Sequence, residues 1–151
     1  MSVFARTLAL PATAAVLLAI TSGCATPSGG TPPPSAPALV VGTGTVIEAA
    51  GRAKLCSVVA ESYPPQCGAG IELRGWTWEG VEGSDKASDV TWGSYAVQGN
   101  VDGDVLNVTE PPILLALYDV APRVATDDPA QKSLDERFGE GFLWIVEPGS
   151  N

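Results

Sequence analysis

Between residues 39 and 109, apolar and polar side chains alternate in short runs broken by glycine and aspartate, the period of β-strands and not of helices. Strands are expected at 39–47, 54–59, 71–79, 95–101 and 104–109. The first is rich in β-branched residues and carries Gly42 and Gly44, which would permit the sharp coiling of a closing barrel strand. The last two flank Asp102-Gly103 and read as a hairpin. A turn at those two residues would pair Val101 with Asp104, Gly99 with Leu106 and Val97 with Val108. That register places Val97, Leu106 and Val108 on one core-facing side.

The run 71–79 contains a conflict. Strict alternation puts Ile71 and Leu73 on one face and Trp76 and Trp78 on the other, with Glu72 and Arg74. A β-bulge at Gly75 would turn both indoles to the core. Without it, Trp76 and Trp78 stand exposed beside Arg74 and Glu72 as a ligand platform able to stack on sugar rings or anchor a protein interface. Trp92 and Trp144 are expected to pack within strands. After the hairpin, Pro111-Pro112 ends the sheet. Asp128 can then cap a short helix with Pro129 at its first position and Gln131 completing a capping box. Leu134 and Phe138 form its apolar stripe, Gly139 its stop, and 142–146 one more strand. The expected fold is mostly β: a small five-stranded barrel, OB-like, with a short C-terminal helix and strand.

The amino terminus has a different pattern. Arg6 precedes an apolar stretch, residues 8–20, too short for a retained membrane span. Thr21-Ser22-Gly23-Cys24 then resembles the lipobox cut by lipoprotein signal peptidase, with Thr21 where such motifs usually carry leucine. Residues 1–23 are therefore expected to be a lipoprotein signal peptide and Cys24 the diacylated first residue of the mature chain, held stably by more than one acyl chain. Residues 24–37, almost all Pro, Ser, Thr, Gly and Ala, read as a linker; 38–111 as the barrel domain; and 112–151 as a C-terminal extension. The expected location is the extracytoplasmic face of the cell membrane.

Composition narrows the chemistry. Seventeen acidic against eight basic residues give a net charge of -9. Removal of Arg6 with the signal peptide leaves seven basic residues and -10, a surface that repels nucleic-acid phosphate and anionic lipid headgroups. The absence of histidine removes the Ser/His/Asp and Cys/His nucleophile systems and the commonest metal ligand. With Cys24 acylated, Cys56 and Cys67 are expected to form a disulfide in an oxidising compartment. The acidic loop with Glu79, Glu82, Asp85 and Asp89, and the cluster Asn100, Asp102 and Asp104, lack the EF-hand pattern and read as a solvated loop and a turn. Carboxylate pairs for hydrolysis can be drawn from Glu61, Glu72 and Glu79, but any acidic sequence offers them. No catalytic residue, cofactor or metal is assigned.

The run Glu61-Ser62-Tyr63-Pro64-Pro65-Gln66-Cys67 with Cys56 upstream, together with Gly75-Trp76-Thr77-Trp78 and Thr91-Trp92-Gly93-Ser94-Tyr95, resembles a group of small actinobacterial exported proteins of unknown function, over about residues 40 to 118. The resemblance implies no ligand or activity. The expectation is a monomeric, non-enzymatic binding or accessory lipoprotein, attached to the membrane by its lipid and recognising an envelope glycan or protein; the alternative is a carboxylate-based envelope hydrolase.

Overall fold

A computed structural model describes residues 37–147; the expected signal peptide, Cys24 and nearly all of the expected linker lie outside the described residues. The elements in order are β1 (Leu39–Ala49), β2 (Arg52–Ala60), β3 (Gln66–Arg74), β4 (Asp85–Ala87), β5 (Val90–Asp102), β6 (Val105–Val108), β7 (Ile113–Leu114), a 3₁₀ turn (Leu115–Leu117), α1 (Pro129–Phe138) and β8 (Leu143–Ile145). The fold is mostly β with one short helix and a C-terminal strand.

Five of the strands close on themselves. β1 pairs antiparallel with β2, β2 with β3, and β5 with β6, while β6 runs parallel to β3. β5 then pairs antiparallel along the whole of β1, from Leu39 opposite Asn100 to Ala49 opposite Val90. The ring β1-β2-β3-β6-β5 follows. Alternate residues of each strand point inward, and Val46, Leu55, Ile71, Tyr95, Val97 and Leu106 fill the interior at 1% exposure or less. Each such aliphatic side chain contributes about 1.5–3 kcal/mol relative to leaving it in water.

Both open ends of the ring are covered. At one, the segment after β3 folds Trp76, Trp78 and Val81 onto the core; at the other, Leu134 of α1 and Phe142 pack against Val40 and Leu143. A smaller cluster, Val41, Ala96, Trp144 and Val146, lies apart from this interior, with Ile113, Tyr118 and Ala121 packed against it. β8 joins the sheet beside the start of β1. α1 begins as expected, the Asp128 carboxylate accepting from Ala130 and Gln131 N–H. Gln131, however, does not complete a capping box. Its side chain is buried, donates to Leu143 O (2.9 Å) and Asp135 Oδ1 (3.0 Å), and accepts from Ile145 N (2.8 Å). The amide thus pairs with the edge of β8 as a strand would, and Val124 N completes the cover by donating to Ile145 O.

Three local expectations are corrected. β3 spans Gln66–Arg74, not 71–79, because pairing with β2 begins at Gln66 and Gly75 takes a positive φ of 81° that ends the extended run. The conflict of faces therefore ends with the strand, and no bulge forms at Gly75. The irregular register lies in β2, between Cys56 and Val58 and between Val58 and Val59. The β5–β6 turn is Gly103-Asp104, with Val101 opposite Leu106 and Gly99 opposite Val108. Gly103 has φ 56°, and a two-residue turn that places glycine first satisfies that conformation. The slip is two residues, so Val97, Leu106 and Val108 keep the face expected of them.

Candidate functional site

The outer surface of β2, β3 and β6 is the most distinctive surface of the ring. Arg52 and Lys54 alternate along β2, Glu72 and Arg74 along β3, and Asn107 follows on β6. Lys54 stands opposite Glu72, and Arg74 beside Asn107. Because cross-strand partners share a face, all five point away from the core, and Leu55, Ile71, Leu73 and Leu106 between them point into it. Arg74 Nη1 donates to Asn107 Oδ1 at 3.4 Å, and Asn107 Nδ2 to Asn100 O at 3.2 Å, which orients the guanidinium across β3 and β6. An ion pair lies elsewhere: Arg137, at the end of α1, reaches Asp104 Oδ1 at 3.3 Å and also donates to Gly103 O. Three of the seven basic residues among the described residues thus share one exposed face of a strongly acidic domain.

Farther along β2 the face runs into a cleft of about 460 Å³, lined by Thr43, Gly44 and Thr45 of β1, Cys56, Ser57 and Val59 of β2, and Glu140, Gly141 and Phe142 before β8. It opens where β1 changes partner: Thr45 pairs with Cys56 of β2, whereas Gly42 pairs with Leu143 of β8. The Cys56–Cys67 disulfide staples β2 to β3 at this end, with Cα atoms 5.6 Å apart. Gly70, opposite Cys56, is required by the closeness of the strands, since a Cβ there would fall 2.1 Å from Leu55 O.

The structure divides the four residues of the expected platform. Glu72 and Arg74 are exposed on the β3 face, while Trp76 and Trp78 are half-buried at the end of the ring. The two indoles meet edge to face at 5.1 Å and pack on Tyr95 at 5.5 and 6.0 Å. Trp78 Nε1 donates to Glu48 Oε2 (3.1 Å), and Tyr95 Oη to Glu82 O (2.8 Å). Burial raises the Tyr95 phenol above its ordinary 10.0, and the negative charge of Asp85 adds to the shift. Trp144 is buried under the Arg123 guanidinium, 3.6 Å from the ring centroid. Trp92 is half-buried, with the exposed Tyr63 ring of the β2–β3 turn against it at 5.8 Å.

The carboxylates considered for hydrolysis do not share an element end: Glu61 lies in the β2–β3 turn, Glu72 within β3 and Glu79 in the following loop, all exposed. Glu79, Glu82, Asp85 and Asp89 are likewise exposed, and among the described residues no group of three or more acidic or cysteine side chains is placed to hold a metal ion. Sequence reasoning missed Arg52 and Lys54 as members of the site. Their period-two spacing was the available signal, but only the pairing of β2 with β3 brings them to Arg74. The cleft had no sequence signal, since it depends on where β1 exchanges β2 for β8. Comparison with known proteins finds no matching family model, no matching curated protein and no matching solved structure.

Proposed function

We propose that the protein is a membrane-tethered, extracytoplasmic binding module whose ring is a small OB-like barrel, and that it recognises an envelope glycan bearing acidic groups on the outer face of β2 and β3. One observation carries this reading: Arg52, Lys54 and Arg74 are gathered on one exposed sheet face of a domain whose net charge is strongly negative. The field of the remaining acidic residues is screened beyond about 8 Å at physiological ionic strength, so the local patch governs what binds at contact, while the surrounding charge disfavours indiscriminate polyanions. Barrels of the OB kind bind on their second and third strands, helped by the loops between strands one and two and between four and five. Here those loops are two-residue turns, Ala50-Gly51 and Gly103-Asp104. Recognition therefore falls to the strand face itself, with Glu72 and Asn107 available to hydrogen-bond hydroxyl groups and the adjoining cleft to receive a side branch.

The location rests on the Cys24 lipobox and the linker, and the disulfide is consistent with an oxidising compartment. Exposed charge contacts contribute little individually, so binding is weak and salt-dependent. The test is cosedimentation of the soluble domain with purified cell-wall polysaccharide. The wild type is expected in the pellet at low salt and to be released as ionic strength rises; the combined Arg52→Ser, Lys54→Ser, Arg74→Ser variant, folded by circular dichroism, is expected in the supernatant. Equal sedimentation of the two proteins contradicts the assignment of the face.

A further inference from the structure

The segment that follows β7 leaves its large apolar side chains uncovered. Leu117 is 73% exposed, Val120 64% and Leu115 39%. Their neighbours face the other way: Ile113, Tyr118 and Ala121 pack against the cluster of Val41, Trp144 and Val146, and the Ala121 N–H donates to Tyr118 Oη at 3.3 Å. Pro122 O accepts from Glu147 N, and Arg123 bridges to Val146, so the end of the segment is held along the strand that flanks β1. A rigid turn with its aliphatic groups outward results. From Leu115 to Ala121 the run contains one charged residue, Asp119.

The same cluster marks the point where the chain enters the domain. Leu39 packs in it, and Leu39 O accepts from Val146 N at 3.0 Å. Twelve residues separate Cys24 from Pro37, a reach of at most about 45 Å when fully extended. If Cys24 carries the lipid, the side of the domain nearest its tether is the side with the exposed leucines, and the short linker holds that edge at roughly millimolar effective concentration over the bilayer. Free in solution, three aliphatic groups would give negligible membrane affinity; tethered, they need only bias orientation. The exposed Arg123, which follows them in sequence, is a cation of the kind that settles at headgroup level.

We propose that Leu115, Leu117 and Val120 dip into the membrane interface and dock the domain on the bilayer that holds its lipid anchor. The inference rests on the lipid-tether reading and adds an orientation to it. The test uses full-length protein extracted from cell membranes and reconstituted into vesicles of phosphatidylcholine and phosphatidylglycerol with brominated acyl chains. Fluorescence added by Leu117→Trp is compared with that added by Val58→Trp, an exposed position on the β2–β3 hairpin, each as a difference from wild type; detergent-phase partition of the same samples reads the tether separately. Quenching at 117 at least about two-fold greater than at 58 is the expected result for interfacial burial. Protein that partitions into detergent with equal quenching at the two positions overturns the docking and leaves the tether intact. Crosslinking of position 117 to a second protein without quenching overturns it in favour of a protein interface. Protein found wholly in the aqueous phase overturns tether and docking together.

Discussion

Ala50 holds a left-handed backbone conformation, φ 51°, in the turn between β1 and β2, followed by Gly51 at φ 71°. An alanine there costs about 1–2 kcal/mol in contact between its Cβ and the next carbonyl, whereas Asn-Gly is the pair such hairpin turns prefer. Ala50→Asn is expected to raise stability by about 0.5–1 kcal/mol in urea unfolding, part of that strain being relieved. Tyr95 makes a second prediction. Its folded-state pKa is raised, so the unfolded chain releases the phenolic proton first as pH rises past 10.0. Its contribution to stability is thus complete below the ordinary value and lost on the alkaline side, through the raised value. Alkaline unfolding monitored by fluorescence should become less steep in Tyr95→Phe, which also loses the bond to Glu82 O, at about 1 kcal/mol near neutral pH. Neither feature was legible in the sequence: alanine is no turn signal, and Tyr95 is one of several aromatics in alternating runs. Trp76 and Trp78 were legible as a problem but not as its solution, because alternation says which residues share a face only while a strand continues.

At the scale of elements, the helix was the most legible part, since Asp128, Pro129 and Gly139 act through local backbone geometry and need no partner. Gln131 shows the limit of that logic. Its place three residues after the cap fitted a local role, but burial against β8 supplied two backbone partners, at Leu143 and Ile145, that no local pattern contains. Gln131→Ala would leave a buried carbonyl and a buried N–H unpaired, each costing about 1–3 kcal/mol; a loss near 3 kcal/mol is expected in chemical denaturation, against about 1 kcal/mol for Asp128→Ala. If the two variants cost the same, the amide is not the docking contact. The β5–β6 hairpin was legible in its face and not in its register. Both Asp-Gly and Gly-Asp can fill a two-residue turn, and a slip of two residues preserves every core position, so the hydrophobic pattern could not choose between them.

For the whole molecule, five strands, a helix and a final strand could be read from the sequence, and closure of the five was expected from their number and from Gly42 and Gly44, but the pairings that close the ring could not be read. Closure depends on β5 running the length of β1 and on β6 lying parallel to β3, and parallel pairing between strands distant in sequence leaves no local signature. The disulfide adds a constraint that the small core needs: opening the Cys56–Cys67 link by reductant is expected to cost about 3 kcal/mol for a loop of this length, measured in urea. The charge distribution completes the picture, because seventeen acidic residues say only that the surface is negative, while folding decides where the basic ones collect. The assignment of that surface to ligand recognition is tested most directly by amide chemical-shift mapping of the soluble domain titrated with solubilised cell-wall polysaccharide. The account predicts that shifts concentrate at Arg52, Lys54, Glu72, Arg74 and Asn107 and extend toward Ser57. Shifts confined to the loop of Trp76 and Trp78, or none at saturating polysaccharide, would contradict it.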